Sequence, residues 1–363
     1  MASIKTLSGR ERIRLALAHK ETDRIPIAMA CSGINPPAMK EFDAYLKEKR
    51  NIDAEAYLES FIDLGGIGAD YVGPKLPAGT DMWGVVRKEV SYGSGSYNEI
   101  CHYPLMKMET VSDLERHIWP TTDFFDYSTL EDKAGAIIKD KGLCLMAGGG
   151  NIFETTWYMR GFEQIFMDLV MNPELVHAIM GRVTDFYIEH AKRTLAAADG
   201  LIDLYFTADD IAGQGGLLMS LEMWEEFLKP YHTRLNKAIH EFGAKVMYHS
   251  DGDVTRAVPG LLGMGMDVLQ ALQFDAGEMD PAGLKNKYGD RLCFEGGVSV
   301  QSTLPFGTVE KVVAEVKSHV NILGKNGGYI LGPSHAIQAG TPPENIYAMF
   351  ETAQNYYPFK QVT

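Results

Sequence analysis

Polar side chains that can bind a metal ion follow several apolar segments of the chain. His249 and Asp251 follow the segment KVMY, Glu295 follows RLCF, and His335 follows GGYILGPS. Imidazole nitrogens and carboxylate oxygens bind divalent metals, and three protein ligands with one open position are typical of catalytic zinc. The four residues therefore predict a metal site, with zinc as the expected ion. The alternative is a metal-free rim of these groups that hydrogen bonds to substrate directly.

Two adjacent carboxylates, Asp209 and Asp210, end the apolar segment LIDLYFTA. Adjacent residues on a strand face opposite sides, so we expect one to face the site and the other to cap a helix. Burial would raise the pKa of the carboxyl at the site and let it act as a general acid. The sequence does not identify which of the two has that catalytic role.

A glycine run, Gly148, Gly149 and Gly150, follows the apolar segment LCLMA. Glycine removes side-chain bulk and exposes backbone N–H groups, so the run could bind a phosphate or let a bulky flat cofactor approach. It lacks the GK[ST] sequence of a nucleotide-binding P-loop. We therefore expect a cofactor-binding role other than that of a P-loop.

Candidate substrate-binding residues lie in the following helical stretch and at two later segment ends. Trp157 and Tyr158 are expected to contact an apolar substrate, with Met247 and Gln273 nearby. Most aromatic and methionine side chains at helical spacing fill the core, so only some of these would line a site. Arg160 stands between Met and Gly and could bind a carboxylate or a neighbouring chain.

The elements that must position these residues alternate between strand and helix. From Leu143 onward we count six apolar strands separated by helices, with room for two strands before it. Such alternation predicts a parallel sheet, and eight strands predict a (β/α)8 TIM barrel. A doubly wound sheet would require a GxGxxG sequence after its first strand, which is absent. Active sites of TIM barrels lie at the carboxyl ends of the strands, where the candidate residues stand.

The whole chain, 1–363, is expected to form one barrel domain, with N-terminal helical and β additions within 1–140. The helical patterns cover Gly9–His19 and Pro36–Asp63, the latter broken near Asn51. Arg24–Ala30 is the first apolar strand, and strand patterns follow over 70–94 and 96–103, with turns at Gly93 and Gly95. Eight further histidines lie in helices or loops, most of them expected to be solvated: His19, His102, His117, His177, His190, His232, His240 and His319.

Composition excludes several classes of protein. The 363 residues include 34 Lys and Arg against 48 Asp and Glu, a formal net charge of -14. Such a chain is unsuited to non-specific binding of nucleic acid or anionic membranes, although it would suit a basic partner. It has no run of 18 apolar residues, no apolar leader and no CxxC among its four cysteines, so we expect a reduced, cytoplasmic protein.

The chain resembles the uroporphyrinogen decarboxylase superfamily, which includes cobalamin-dependent methyltransferases. Four segments carry the resemblance: RERIRLALAHKETDRIP, YFTADDIAGQGGLLMS, YHSDGDV and GGYILGPSHAIQAGTPPENI. The resemblance covers almost the whole chain and implies a (β/α)8 barrel. The true decarboxylases carry an Arg and a Gln-Ala-Gly-Arg stretch soon after the first strand, where this chain reads AMACSGINPPAM. Decarboxylation of a porphyrinogen is therefore not the expected activity.

The corrinoid-linked methyltransferases of the superfamily are more similar. Their zinc site uses a His-x-Cys motif and a later Cys, where this chain has His249-Ser250-Asp251 and His335. A site with fewer thiolates is a stronger Lewis acid and would better polarise an ether oxygen. The resemblance therefore implies an O-demethylase type of methyltransferase.

Such an enzyme moves a methyl group from a methoxylated, aromatic small molecule to the Co(I) of a separate corrinoid protein. Its expected cofactors are zinc and the corrinoid of that partner, with no nucleic acid and no membrane involved. Two alternatives remain at this point: a metal-independent decarboxylase that uses a rim aspartate as acid, and a non-catalytic tetrapyrrole-binding barrel. The oligomeric state stays open, a homo-oligomer included.

Overall fold

Helices and strands alternate along most of the described chain. The computed structural model describes residues 6–31, 33–91 and 96–359. Within these ranges the α-helices are α1 (Gly9–Leu17), α2 (Pro36–Arg50), α3 (Ala54–Glu59), α4 (Leu130–Lys141), α5 (Ile152–Arg160), α6 (Phe162–Met171), α7 (Pro173–Ala197), α8 (Leu221–Phe227), α9 (Lys229–His240), α10 (Val258–Gly263), α11 (Pro281–Tyr288), α12 (Thr303–Phe306), α13 (Val309–Leu323) and α14 (Pro343–Asn355). Two 3-10 turns, Val111–Arg116 and Thr122–Phe124, precede α4.

The strands form one large parallel sheet and three small antiparallel pairs. They are β1 (Leu64–Gly66), β2 (Asp70–Tyr71), β3 (Val86–Ser91), β4 (Ser96–His102), β5 (Phe125–Asp126), β6 (Cys144–Gly148), β7 (Leu204–Ala208), β8 (Ala212–Gly213), β9 (Gly216–Leu217), β10 (Lys245–His249), β11 (Val268–Gln270), β12 (Cys293–Val298) and β13 (Tyr329–Pro333). The seven-stranded sheet has the order β1-β6-β7-β10-β11-β12-β13, and all of its neighbours are parallel. The small pairs are β2 with β5, β3 with β4, and β8 with β9.

The extended segment 25–30, before α2, lies between the two edge strands of the large sheet, β13 and β1. Ile27 forms a parallel bridge with Leu331 of β13. On its other side the carbonyl of Ile27 accepts a hydrogen bond of 2.9 Å from the backbone N–H of Asp63, immediately before β1. A second parallel bridge, between Ile34 and Ile337, follows with the register shifted by one residue. This segment completes the ring of eight and confirms the predicted TIM barrel, with six strands after Leu143 and two before it.

Local signals explain where the first helices begin and end. Ser8 caps α1 by accepting from the backbone N–H of Glu11, whose side chain accepts in return from Ser8. The helix ends at Leu17, two residues before the predicted end. The predicted break near Asn51 is confirmed, since Asn51 has a φ of 53° and ends α2. The predicted turn at Gly93 and Gly95 lies outside the described residues.

An apolar cluster fills the inside of the barrel at its amino end. Its buried members are Ile13, Ala28, Leu64, Cys144, Leu204, Met247, Val268, Cys293 and Ile330. Ile13 and Leu17 belong to α1, so this helix packs across the amino ends of the strands and closes them. The carboxyl ends are the open end of the barrel, where Asp210, Asp251 and His335 keep partly exposed side chains. Among the described residues no helix is long and apolar enough to cross a membrane.

Two histidines that we expected to be solvated, His232 and His319, are buried. Both lie on the inner face of helices that pack against the sheet, which helical spacing alone did not reveal. The ring of His319 contacts that of Phe274 at 5.1 Å between centroids. Burial lowers the pKa of His319 to about 4, and it lowers the pKa of His190 to about 4 as well.

His190 and His319 predict a loss of stability in mild acid. The unfolded chain binds their protons below about pH 6.5, whereas the folded protein does so only near pH 4. The free energy of unfolding should therefore fall as the pH is lowered through this interval. Urea titrations between pH 7 and pH 4.5 should give a shallower pH dependence for His319→Leu than for the wild type. The exposed control His102→Leu should keep the wild-type slope, and an unchanged slope in His319→Leu would contradict the assignment.

Candidate metal centre

Three neighbouring strands place a row of polar side chains inside the barrel near its open end. Met247, Val268 and Cys293 belong to the interior cluster, so the residues two positions later on each strand face the interior as well. These are His249, Gln270 and Glu295. His249 is paired with Gln270 in the register of β10 and β11, and the register of β11 and β12 continues from Gln270 to Glu295.

Gln270 fixes the orientation of the imidazole of His249. The side-chain carbonyl of Gln270 lies within hydrogen-bond distance of Nδ1 of His249, and the amide of Gln270 donates to the carboxyl group of Glu295. This network assigns the proton of a neutral His249 to Nδ1 and leaves the lone pair of Nε2 for a ligand. Nε2 lies 3.5 Å from Asp210 Oδ1 and 3.8 Å from Asp251 Oδ1, beyond ordinary hydrogen-bond length.

Two groups of candidate metal ligands share His249. One group is Asp210, His249 and Asp251, and the other is Cys31, His249 and His335. Within each group the ligand atoms all lie within 4.8 Å of one another. His335 Nε2 also lies 3.8 Å from Asp251 Oδ2, which links the two groups. The structure thus brings together three of the four predicted ligands, His249, Asp251 and His335, and adds Asp210 and Cys31.

Gln273 holds Asp251 in position from the end of the neighbouring strand. Its Nε2 donates to Asp251 Oδ1 at 2.8 Å, and its Oε1 accepts from the backbone N–H of Gly252 at 2.9 Å. Burial raises the pKa of Asp251, and the nearby His249 and His335 oppose that rise. Gln273 therefore positions the carboxylate of Asp251, a candidate metal ligand.

Glu295, the fourth predicted ligand, lies beside Gln270 and outside both groups of mutually close donors. Its side chain is fully buried, and burial raises its pKa to about 8, against the hydrogen bonds from Ala30 and Gln270. Gly332 makes room for it, since a Cβ there would lie 2.9 Å from Oε1 of Glu295. Among the described residues its Oε2 has no hydrogen-bond partner. A cation or proton would stabilise this oxygen, and Glu295 reaches His249 through Gln270.

The adjacent aspartates face opposite sides of their strand end. Asp209 is fully buried and accepts from the backbone N–H groups of Phe153 and Glu154, each at 2.8 Å. Its Oδ2 lies 2.5 Å from Nε2 of His232. Asp210 instead accepts from the backbone N–H of Asp251 at 2.8 Å and faces His249. Asp209 thus holds the first turn of α5, and Asp210 faces the site.

This difference predicts opposite effects for two matched substitutions. Asp209→Asn replaces an acceptor oxygen by a donor and leaves a buried N–H or His232 unsatisfied, which should lower the free energy of unfolding by about 1–3 kcal/mol. Asp210→Asn should leave stability near the wild-type value and weaken metal binding. Urea denaturation and metal titration of both variants test this. Equal destabilisation of the two would mean that the roles are not divided.

The glycine run turns the chain sharply from β6 into α5. Gly149 and Gly150 have φ values of 139° and 133°, which residues with a side chain rarely adopt. A Cβ on Gly150 would also lie 2.6 Å from Cδ2 of Leu235. Gly148 is exposed at the open end. The backbone conformation of this turn therefore accounts for glycine at positions 149 and 150, and no bound ligand is needed to explain it.

The outer face of α5 borders a cavity of about 580 Å³ lined by Arg87, Tyr103, Trp157 and Tyr158, among others. The guanidinium of Arg87 stacks on Tyr158, 4.9 Å from the ring centroid. Trp157 and Tyr158 contact each other at 4.2 Å between ring centroids.

Tyr158 connects this cavity to Glu154 in the first turn of α5. Its hydroxyl donates to Glu154 Oε1 at 2.9 Å. Burial, and then the charges of Asp209 and Asp210, raise the pKa of Glu154 to about 7. A second cavity, of about 850 Å³, lies near the amino ends of β1 and β6, away from the donor groups.

Two candidate substrate-binding residues have other surroundings. Arg160 is buried, with its Nε 2.6 Å from Asp168 Oδ2. Its Nη1 donates to the backbone carbonyls of Leu105, Met106 and Met108. Met247 lies in the interior cluster, fully buried. The structure does not bring these two side chains to the donor groups.

Sequence reasoning missed Gln270, Cys31 and Glu154. Gln270 stands two residues after Val268, on the same strand face, so strand alternation could have found it. Cys31 directly follows the first apolar strand, a strand end that we left out. Nothing in the sequence around Glu154 indicates a functional role, because its raised pKa depends on burial and on Asp209, which is distant in the sequence.

Comparison with known proteins agrees with this architecture. The family description "Uroporphyrinogen decarboxylase (URO-D)" matches residues 100–356. The methylated-thiol–coenzyme M methyltransferase of Methanosarcina mazei is 28% identical over 196 residues, which are 54% of this chain and 49% of that protein. The methylcobamide:CoM methyltransferase MtaA of Methanosarcina barkeri is 28% identical over 52% of this chain and 51% of that protein. The uroporphyrinogen decarboxylase of Anaeromyxobacter dehalogenans is 25% identical over 54% and 53%.

The chain thus spans about half the length of the curated relatives that it matches. A solved structure of a methyltransferase from Methanosarcina mazei superimposes with a TM-score of 0.68 at 18% identity. That superposition covers 96% of this chain and 98% of the other, and it supports the fold alone. Since the family match extends over well over half of the sequence, the chain belongs to the uroporphyrinogen decarboxylase family.

Proposed function

We propose that the protein transfers a methyl group from a methoxylated, aromatic small molecule to the Co(I) of a corrinoid protein. The observation that carries this proposal is the convergence of His249, His335, Asp251 and Asp210 at the open end of the barrel. Two relatives named as methyltransferases of coenzyme M systems favour methyl transfer over decarboxylation. The acidic surface would suit a basic partner.

The residues at the site fit a zinc ion. Two imidazoles and two carboxylates are ligands that zinc accepts, and His249 has the outer hydrogen bond that metal-binding histidines usually make. We propose His249, His335 and Asp251 as ligands, with Asp210 beside them and Glu295 acting through Gln270. A zinc ion bound there would act as a Lewis acid towards the ether oxygen of the donor.

The remaining residues would bind the donor and supply a proton. Trp157 and Tyr158 offer aromatic faces to a methoxylated ring, beside the guanidinium of Arg87. Asp210 faces the site, where it would pass a proton from solvent to the departing phenolate oxygen, while Asp209 holds α5 and thereby Tyr158. The exposed Gly148 would leave space at the barrel mouth for the corrinoid to approach the methyl carbon.

The direct test follows a labelled methyl group. The purified, zinc-loaded protein is incubated with cob(I)alamin and methoxylated benzoates that carry a ¹³C-methyl group. We expect methylcobalamin and the corresponding phenol in equal amounts, and neither product when cob(I)alamin is omitted. Release of phenol without cob(I)alamin, or of carbon dioxide from the benzoate, would contradict the proposal.

A further inference from the structure

We propose that Cys31, at the end of the first barrel strand, binds the same metal ion as a thiolate ligand. The inference rests on the metal site of the proposed function and adds to it a ligand of a different chemical class. The test measures the ligands of the metal and does not depend on methyl transfer.

The pairing of the first and last strands brings Cys31 opposite His335. Cys31 lies four residues after Ile27, and His335 lies four residues after Leu331, the residue that Ile27 pairs with. The second bridge, described above, follows both residues and keeps the two chains side by side beyond them. Equal separations from a bridged pair place two residues at about the same height along parallel chains. The register shifts by one residue before the second bridge, since Ile34 lies seven residues after Ile27 and Ile337 six after Leu331, so the first bridge carries the juxtaposition.

The ligand atoms are close enough for one ion. Sγ of Cys31, a ring nitrogen of His249 and a ring nitrogen of His335 all lie within 4.8 Å of one another. With Zn–S of ~2.3 Å and Zn–N of ~2.0–2.1 Å, a tetrahedral ion holds such donors ~3.3–3.6 Å apart. Side-chain movements of about 1 Å would bring them to that separation.

The imidazole between the two groups is already oriented for this role. The side chain of His249 is 8% exposed, and Gln270 holds its Nδ1. Its Nε2 has carboxylate oxygens only at 3.5 and 3.8 Å, so this buried nitrogen faces the donors without a hydrogen bond of ordinary length. A buried nitrogen in that arrangement is a second observation that indicates a ligand at this place.

A thiolate changes which ion the site prefers. One sulfur and two imidazoles favour zinc or cobalt over magnesium and calcium, which prefer oxygen ligands. Binding breaks the S–H bond of Cys31, forms a metal–sulfur bond and releases the proton to solvent. Asp251 or Asp210 would then complete the coordination from the other group.

The experiment measures the ligands of the metal directly. In the zinc-loaded full chain, X-ray absorption should detect one sulfur at ~2.3 Å. In the cobalt(II)-loaded chain, a thiolate-to-cobalt charge-transfer band should appear. Cys31→Ala should lose both signals, and Cys31→Ser, which preserves size, should lose them with its circular dichroism unchanged. The control Cys101→Ala, at an exposed cysteine of β4, should keep both.

Metal affinity provides a second measure. Cys31→Ala should weaken zinc binding by more than the ~10–100-fold typical of losing an outer hydrogen-bond partner, for which Gln270→Ala is the comparison. Metal-loaded wild type with only nitrogen and oxygen ligands, or a sulfur signal that persists in Cys31→Ala, would overturn the inference.

The inference and the proposed function can fail separately. Methyl transfer by an enzyme without a metal–sulfur bond would refute the role of Cys31 and leave the function standing. A Cys31-dependent sulfur signal in a protein that methylates no corrinoid would support the ligand and refute the function.

Discussion

Replacing His249 by alanine is expected to lower the rate of cob(I)alamin methylation by about 10²–10³-fold, because the residue is common to both ligand groups. A Lewis acid at the reacting oxygen contributes several kcal/mol, and each 1.36 kcal/mol corresponds to about tenfold in rate. The measurement is the single-turnover rate at saturating methoxylated donor, together with zinc content after gel filtration. We expect both to fall in the variant.

Gln270→Ala is the matched control for this substitution. It removes the hydrogen bond to Nδ1 and leaves the imidazole, so zinc affinity should fall by about 10–100-fold. Excess zinc should therefore restore much of the rate in Gln270→Ala and little of it in His249→Ala. A His249→Ala protein with wild-type rate and zinc content would show that the metal site lies elsewhere.

Replacing Arg12 by alanine should lower the free energy of unfolding by about 3–5 kcal/mol, the range found when one partner of a buried ion pair is removed. The guanidinium is 4% exposed and lies 2.6 Å from both Asp63 Oδ1 and Asp23 Oδ1. Asp63 also binds Arg24 and accepts from the backbone N–H of Ile27. Arg12 therefore neutralises, together with Arg24, the carboxylate of Asp63 at the point where the first strand meets β1 and closes the ring.

The control lies on the same helix. Arg14 is 54% exposed and pairs with Asp203, so Arg14→Ala should cost less than about 1 kcal/mol. Urea denaturation monitored by circular dichroism compares the two variants with the wild type. An Arg12→Ala protein as stable as Arg14→Ala would mean that the barrel closes without this ion pair.

The barrel and part of its site could be predicted because their signals are local. Apolar strands alternating with helices give the fold, and polar residues directly after a strand mark the open end of the barrel. His249, Asp251 and His335 were found in this way. Cys31 stands at an equivalent place, but its partner His335 is identified only by the pairing of the first strand with the last.

Other roles depend on contacts between distant parts of the chain. Asp209 and Asp210 could not be separated from sequence, since the answer depends on where the first turn of α5 lies. Arg160 looked like a candidate for ligand binding because its partners, Asp168 and three backbone carbonyls, come together only in the folded protein. A residue type therefore indicates which chemistry is available, and tertiary contacts decide whether it is used.

If the ends of several barrel strands hold one metal ion, elemental analysis of the purified protein should detect it. The protein is purified without chelators, and its zinc content is measured for the wild type, His335→Ala and the exposed control His102→Ala. We expect about one zinc per chain in the wild type and the control, with loss in His335→Ala. A wild type that binds no zinc even after incubation with the metal would show that these residues form no zinc site, and a His335→Ala variant that retains zinc fully would show that His335 is not a ligand.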